Sequence, residues 1–127
     1  MAKLKHIIYK SSAILKNVDL DEILNVARSH NSAVDISGVL VTHTHGFIQY
    51  IEGPPNNIDD LYERIKRDPR HHDVTTLSTG EVFERRYQDW SMGYLCLADK
   101  PMAESLSNSD FSSHRFYEVI DKSLPLG

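Results

Sequence analysis

The chain has 127 residues, a length that suits one domain, and its 40% hydrophobic and 25% charged residues are ordinary for a globular protein. The formal net charge of −4 argues against nucleic acid as the main partner, and one cysteine excludes an internal disulfide or a zinc site made of cysteines alone. No apolar stretch approaches the roughly 20 residues of a membrane span, and the N-terminus has no signal-peptide pattern. We therefore expect a cytoplasmic protein that does not act at a membrane.

The chain begins with a predicted strand and an amphipathic helix. Leu4–Lys10 is rich in β-branched and aromatic residues, which indicates the strand. The helix is predicted to start near Asn17 or Asp19, and Asp19 with Glu22 has the spacing of a capping box. The helix places its apolar residues at i, i+3, i+4 and i+7, which is one helical face: Leu20, Ile23, Leu24 and Ala27.

A hairpin and a second helix follow. Ile36–His43 and Phe47–Gly53 predict paired strands joined near Gly46, a residue that tolerates positive φ. The second helix opens at the Pro54–Asn57 turn and must end before Pro69, since the residue before a proline is pushed out of the helical region. Its apolar stripe has the same helical spacing: Ile58, Leu61, Tyr62 and Ile65.

Two further strands complete a recognisable plan. Val74–Ser78 and Met92–Leu97 are predicted strands, and the resulting order βαββαββ indicates an α+β, ferredoxin-like fold with a mixed sheet and two helices on one face. Pro101–Leu106 and Ser112–Ser123 predict two short helices. We interpret residues 99–127 as a helical cap on the other sheet face, belonging to the same domain as residues 1–98.

A glutamine stands in the middle of the third predicted strand. Strand alternation puts Phe47, Gln49 and Ile51 on one face, and both neighbours are large apolar residues. A buried amide without partners costs about 1–3 kcal/mol, so Gln49 needs a polar partner. Tyr9 is the candidate if the first and third strands are neighbours.

The residues alone leave two interpretations open. A tyrosine and a glutamine on strands often bond each other or the backbone with no further role. Asn31, near the predicted end of the first helix, has the position of a left-handed C-cap, but it also lies two turns beyond Ile23 on the core side of that helix. A buried polar cavity that holds a ligand is the alternative.

Tyr9, Asn31 and Gln49 each lie in one of five ordered motifs. Over Leu4–Leu97 the sequence resembles the BLUF domain, a flavin-binding blue-light sensor. The resemblance rests on five fragments: HIIYKS (His6–Ser11), HNSAVDISGVL (His30–Leu40), FIQYIEGP (Phe47–Pro54), RDPRHHDV (Arg67–Val74) and RRYQDWSMGY (Arg85–Tyr94). The resemblance implies a flavin, FAD or FMN, bound without a covalent link between the two helices.

The resemblance also implies roles for particular residues. Tyr9 corresponds to the photoactive tyrosine, Gln49 to the switching glutamine and Asn31 to the asparagine that hydrogen-bonds the flavin ring edge. Trp90 and Met92 match the pair near the glutamine, and which of the two lies beside Gln49 stays open. Further flavin-contacting positions are implied, four against the ring and two near its pyrimidine end: Ile23, Leu40, Phe47 and Ile65, then Arg70 and His71.

A basic cluster lies on the second helix and its exit: Arg64, Lys66, Arg67 and Arg70. For Lys66 and Arg67, two interpretations have equal weight. Cations in the last turn of a helix suit its dipole and are often only solvated. Alternatively, these two side chains contact the phosphate tail of the flavin.

The resemblance implies a function without substrate chemistry. Light moves an electron and a proton from Tyr9, the hydrogen bonds of Gln49 rearrange, and a red-shifted signalling state forms. The protein is therefore expected to be no enzyme. We expect the signal to pass to a separate protein partner or to the interface of a homo-oligomer.

Three alternatives remain. The first is a light-independent flavin-binding protein with the same fold and pocket. The second is an acylphosphatase-like enzyme, which needs an arginine in its anion-binding loop, whereas the loop Ser11–Val18 has only Lys16. The third is a metal site formed from four histidines, of which two flank the predicted hairpin turn: His43, His45, His71 and His72.

Overall fold

A computed structural model describes residues 3–14, 19–43, 45–96 and 112–123 of the chain. The described elements alternate in the predicted order βαββαββ, followed by a helix near the C-terminus. Their bounds are β1 Leu4–Ser12, α1 Leu20–Ala33, β2 Ser37–His43, β3 Gly46–Gly53, α2 Pro55–Arg67, β4 His72–Val82, β5 Gly93–Cys96 and α3 Ser113–Ser123. Asn17, Leu97 and the predicted helix Pro101–Leu106 lie outside the described residues.

The five strands form one mixed sheet in the order β4-β1-β3-β2-β5. The pairs β4–β1, β1–β3 and β3–β2 are antiparallel, and β5 lies at the edge of the sheet, parallel to β2. This order confirms the ferredoxin-like prediction. It places β1 and β3 side by side at the centre of the sheet, which is the condition for Tyr9 to reach Gln49.

All five strands differ from their predicted bounds, and for β1, β2 and β3 the difference is one or two residues at one end. β4 extends beyond the predicted Val74–Ser78 at both ends, because it pairs with nearly the whole of β1. Its polar, partly exposed residues give no alternation that a sequence pattern reveals. β5 begins at Gly93, one residue later than predicted, so Met92 precedes the strand.

The helix boundaries follow the predicted local chemistry. The Asp19 side chain caps α1 and accepts a hydrogen bond from the Glu22 N–H at 3.0 Å. Pro54 is the N-cap of α2, and the helix ends as predicted because Asp68, which precedes Pro69, has extended geometry (ψ 120°). At the hairpin, Gly46 has φ +153°, and a Cβ there would lie 2.1 Å from the Ser11 carbonyl oxygen.

The sheet separates two cores. One face packs against α1 and α2, and alternate residues of β1, β2 and β3 point into it: Ile7, Tyr9, Leu40, Phe47 and Ile51. The other face is covered by α3 through three buried residues, Phe116, Val119 and Ile120. The predicted cap on the far face is thus confirmed for its second helix. Among the described residues, no helix is long and apolar enough to cross a membrane.

Candidate functional site

A cavity of about 190 Å³ lies between α1 and α2, above the centre of the sheet. Its walls are aliphatic and come from both helices, while its floor is formed by the sheet. The apolar lining is Ile23, Val26, Ala27, Leu40, Phe47, Leu61, Ile65 and Met92. The polar lining is Tyr9, His30, Asn31, Gln49, Arg64, Asp68, Arg70 and His71. Apolar walls with polar ends suit a flat ligand whose edges carry hydrogen-bonding groups.

Tyr9 and Gln49 meet at the floor of this cavity. They occupy directly paired positions of β1 and β3, and both side chains are buried. The Tyr9 hydroxyl donates a hydrogen bond to Gln49 Oε1, and Gln49 Nε2 donates to Met92 Sδ at 3.3 Å. Burial, with smaller contributions from Tyr62 and Asp68, raises the pKa of the Tyr9 phenol well above its usual range. The phenol therefore keeps its proton at neutral pH.

Met92 and Trp90 lie on opposite sides of the sheet. Met92 is buried in the core that faces α1 and α2, where its sulfur contacts Gln49. Trp90 packs against the other core and stacks on Tyr87, with the ring centroids 5.3 Å apart. In the described structure, Met92 is therefore the member of the pair that lies next to Gln49.

Asn31 lies in the last turn of α1 and is not its C-cap. The helix continues to Ala33 with Val34 as the C-cap, and the residue with positive φ is Asp35. The C-cap interpretation of Asn31 is wrong for this structure. Its side chain is 1% exposed, and Nδ2 donates to the Ser91 carbonyl oxygen at 2.7 Å.

His71 joins the end of α2 to the floor of the cavity. Its Nε2 is 2.6 Å from the Ile65 carbonyl oxygen, which only accepts, so Nε2 carries a hydrogen. In the neutral ring, Nδ1 then accepts from the Ser11 hydroxyl at 2.6 Å. The imidazole edge also approaches the Tyr9 and Phe47 rings, which fixes its orientation.

The cations near α2 divide into two groups. Lys66 pairs with Glu63 at 2.6 Å, and neither Lys66 nor Arg67 lines the cavity. Arg70 does line it, and its guanidinium forms an ion pair with Asp68 at 2.6 Å that lowers the pKa of the Asp68 carboxyl.

Two polar residues of the lining were not predicted, His30 and Asp68, and Arg64 was predicted only as a member of the basic cluster. A signal for Arg64 and Asp68 was present in the sequence. Leu61, Arg64, Ile65 and Asp68 follow the spacing i, i+3, i+4, i+7, which describes the cavity-facing stripe of α2. The predicted stripe included only its apolar members.

The described residues contain no group of three or more histidine, cysteine or acidic side chains placed to hold a metal. His43 Nδ1 accepts from the His45 backbone N–H, while His71 belongs to the cavity. The four histidines of the metal alternative are therefore not brought together.

Comparison with known proteins identifies the class. The family described as "BLUF: Sensors of blue-light using FAD" matches residues 4–93 of this chain. That range exceeds half of the chain, and the chain therefore belongs to the BLUF family, whose cofactor is FAD.

Individual relatives agree with this assignment. The photoactivated adenylate cyclase subunit beta of Euglena gracilis is 37% identical over 87 residues, which are 67% of this chain and 10% of that protein. The blue light- and temperature-regulated antirepressor BluF of Escherichia coli (strain K12) is 29% identical over 54% of this chain and 17% of that protein. The chain thus spans about a tenth of the length of the cyclase subunits it matches.

Solved structures match the fold over nearly the whole chain. The BLUF protein BlrB in its dark state superposes with a TM-score of 0.82 at 29% identity, covering 98% of this chain and 99% of that one. The photo-activated state of BlsA gives 0.79 at 26% identity, covering 98% and 96%. A bacterial light-regulated adenylyl cyclase gives 0.71 at 25% identity, with 94% of this chain covering 33% of that one.

The residues of the cavity fit FAD. A flat isoalloxazine ring needs apolar walls, which α1 and α2 supply, and partners for its polar edge. Asn31 Nδ2 has two hydrogens and donates one to Ser91, so a second hydrogen remains for a ring edge. Asn31 Oδ1 lies 3.4 Å from His30 Nδ1 and has a second lone pair that a ring N–H can use. Gln49 presents both a donor and an acceptor at the floor.

Proposed function

We propose that this chain is a blue-light sensor whose switch is the row of side chains Tyr9, Gln49 and Met92. The observation that carries the proposal is the buried hydrogen bond from the Tyr9 hydroxyl to Gln49, across directly paired positions of β1 and β3. When bound, FAD supplies the absorption of blue light and an excited state that accepts an electron.

Tyr9 is the electron and proton donor in this proposal. Burial keeps its phenol protonated in the dark, because the pKa is raised. A phenol that has lost an electron is strongly acidic, and Gln49 Oε1 already accepts its hydrogen bond. Tyr9 therefore gives up one electron together with its phenolic proton, and it regains both before the light state has decayed.

Gln49 converts this transfer into a lasting change. Its amide has one accepting and one donating end, and in the described arrangement the oxygen faces Tyr9 while Nε2 faces Met92. Rotation or tautomerisation of the amide presents a different donor pattern to the ring edge, which shifts the absorption to the red. The new pattern persists until thermal recovery.

The remaining cavity residues hold the cofactor. Asn31 binds the polar ring edge, and four apolar side chains form the slot: Ile23, Leu40, Phe47 and Ile65. His71 lies at the floor near Tyr9. For the phosphate tail we favour Arg64 and Arg70, which line the cavity, over Lys66 and Arg67, which do not.

The output is assigned to the far face of the sheet. Met92 directly precedes β5, which belongs to the sheet that α3 covers, so a change at Met92 is proposed to alter the seating of α3. The α3 surface would then act on a separate protein or on a second copy of the chain. No bond in a substrate is made or broken, so the proposed function is not enzymatic.

The test is an absorption spectrum of the purified, FAD-loaded protein before and after blue light. We expect a yellow protein with a reversible red shift. Flavin binding without a shift would replace the proposal with the light-independent flavin protein. A protein that takes up neither FAD nor FMN would remove both functions.

A further inference from the structure

Glu52 is a buried carboxylate on the face of β3 opposite Gln49. It is 0% exposed, and its two oxygens accept four hydrogen bonds. Oε1 accepts from the Tyr50 hydroxyl at 2.8 Å and from the Arg86 backbone N–H at 2.7 Å. Oε2 accepts from the Ser37 hydroxyl and from the Tyr87 backbone N–H, both at 2.8 Å. The carboxylate thus fixes two consecutive peptide units to the sheet.

Arg85 contacts the surroundings of this site. Its Nη1 donates to the Ser37 hydroxyl oxygen at 3.0 Å, and its Nη2 donates to the Asp35 carbonyl oxygen at 2.7 Å. A buried carboxylate is costly unless its oxygens are hydrogen-bonded, and two of the four donors to Glu52 are the backbone N–H groups of Arg86 and Tyr87. Residues 86 and 87 of the irregular stretch between β4 and β5 are therefore hydrogen-bonded to β3 through the Glu52 side chain.

The part of this stretch from residue 85 onward, residues 85–92, ends at Met92. The Trp90 N–H donates to the Tyr87 carbonyl oxygen at 3.1 Å, and the Trp90 carbonyl oxygen accepts from Gly38 at 3.0 Å. At the far end, Arg28 Nε donates to the Met92 carbonyl oxygen at 3.0 Å. Met92 thus lies at the end of a segment that Glu52 holds at residues 86 and 87, Gly38 at Trp90 and Asn31 at Ser91.

We propose that Glu52 is a positioning residue for the photoswitch: by holding residues 85–87, it places Met92 Sδ where Gln49 Nε2 donates to it. The inference rests on the proposed role of Gln49. It concerns a side chain that touches neither the cavity nor Gln49, on the opposite face of the same strand.

The chemistry of Glu52→Gln makes this testable. An amide keeps one accepting oxygen and replaces the other with a donor. The Tyr50 and Ser37 hydroxyls can rotate to accept from the new NH₂, but a backbone N–H cannot. Either orientation of the amide therefore leaves one backbone N–H, that of Arg86 or that of Tyr87, without a partner. Residues 85–87 are then held less firmly. Tyr50→Phe is the matched control, because it removes one donor to Glu52 and leaves both backbone bonds.

The first measurement needs no photochemistry. In dark protein labelled with ¹³C-methyl methionine, the Met92 signal is assigned by its absence in Met92→Leu. We expect Glu52→Gln to shift or broaden the Met92 methyl signal and Tyr50→Phe to leave it in place. An unchanged signal in folded Glu52→Gln overturns the proposal, whether or not the protein responds to light. If Glu52→Gln does not fold, Arg85→Met takes its place, because it loosens the same segment and keeps the carboxylate. We then expect Arg85→Met to shift or broaden the Met92 methyl signal, and an unchanged signal overturns the proposal.

The second measurement separates positioning from general loosening. We expect Glu52→Gln to change the rate of dark recovery at least threefold, in the same direction as Met92→Leu. In the Met92→Leu background the same substitution should have no further effect, since the sulfur it positions is gone. Equal fold-changes in both backgrounds would show that Glu52 acts independently of Met92 and would overturn the proposal. Absence of any light response in the wild type would instead contradict the proposed function.

Discussion

The two faces of the sheet bury polar groups in opposite ways. On the cavity face, Tyr9, Gln49 and Asn31 are neutral, and the two amides can exchange one partner for another. On the cap face, Glu52 has only acceptors, and four donors fill them. A neutral amide with alternative partners can switch, whereas a carboxylate filled by backbone donors is an anchor. β3 carries both, three residues apart.

The largest effect is expected when Gln49 or Tyr9, the switching groups of the cavity face, is replaced. We expect Gln49→Leu and Tyr9→Phe each to bind FAD and to lose the reversible red shift completely. The first removes the amide that rearranges, and the second keeps the ring but removes the hydroxyl that donates the proton. Light-minus-dark absorption spectra measure the result. A normal shift in either variant would exclude that residue from the mechanism.

The second test compares a leucine substitution on each face of β3. Glu52→Leu leaves the backbone N–H groups of Arg86 and Tyr87 unpaired, and each such group costs about 1–3 kcal/mol. We therefore expect the free energy of unfolding to fall by at least about 2 kcal/mol. Gln49→Leu leaves one hydroxyl, that of Tyr9, without a partner, and should lower the free energy of unfolding by about 1 kcal/mol. Urea unfolding of both variants without cofactor measures the difference, and equal losses would contradict the contrast.

The third test concerns Asn31. We expect Asn31→Ala to weaken FAD binding by about tenfold, or about 1.4 kcal/mol, because a ring edge loses its paired partner. Fluorescence titration with FAD gives the affinity. Asn25→Ala, on the same helix but outside the cavity lining, is the control and should bind as the wild type does. Unchanged affinity in Asn31→Ala would refute the role given to this residue.

The smallest expected effect is at α3. The Arg86 guanidinium lies 3.8 Å from the centroid of the Tyr117 ring and 3.4 Å from Asp121, so it ties the 85–92 segment to α3. Both charged groups are partly exposed, and such contacts are weak. We expect Arg86→Met to raise amide exchange in residues 113–123 severalfold in the dark. Arg115→Met, whose cation pairs with Glu118 inside α3, should raise it less.

The same measurement in the light tests the output route. We expect exchange to differ between light and dark in residues 93–96 and 113–123, and Met92→Ala to reduce that difference while the red shift remains. A light response confined to α1 and α2 would show that the signal does not leave through Met92.

Much of the fold follows from local patterns. The stripes of α1 and α2, the Asp19 cap and the alternation of β3 have short-range causes that a sequence displays. The Tyr9–Gln49 pairing was predicted only on the condition that β1 and β3 are neighbours. That condition is a matter of topology, which the element order βαββαββ supplied.

The parts that were not predicted depend on irregular backbone. Trp90 and Met92 are two residues apart and would share a face in a strand. They lie on opposite sides because the strand begins only at Gly93. Asn31 was ambiguous because the end of α1 is fixed by backbone bonds rather than by a glycine. Alternation did put Glu52 opposite Gln49, but its partners are backbone N–H groups of a distant segment, which have no sequence signature.

Because Tyr9 pairs directly with Gln49, the photoreaction depends on the register between β1 and β3. β1 and β3 pair without interruption from Lys5 opposite Gly53 to Ser12 opposite Gly46. A slip of one residue would turn every side chain of one strand to the wrong face, and Gln49 would then stand opposite Ile8 or Lys10. A slip of β3 would also turn Phe47 out of the cavity lining, so the floor of the flavin site would be lost together with the switch. The fraction of a preparation that binds FAD and shifts in light would therefore count correctly paired molecules.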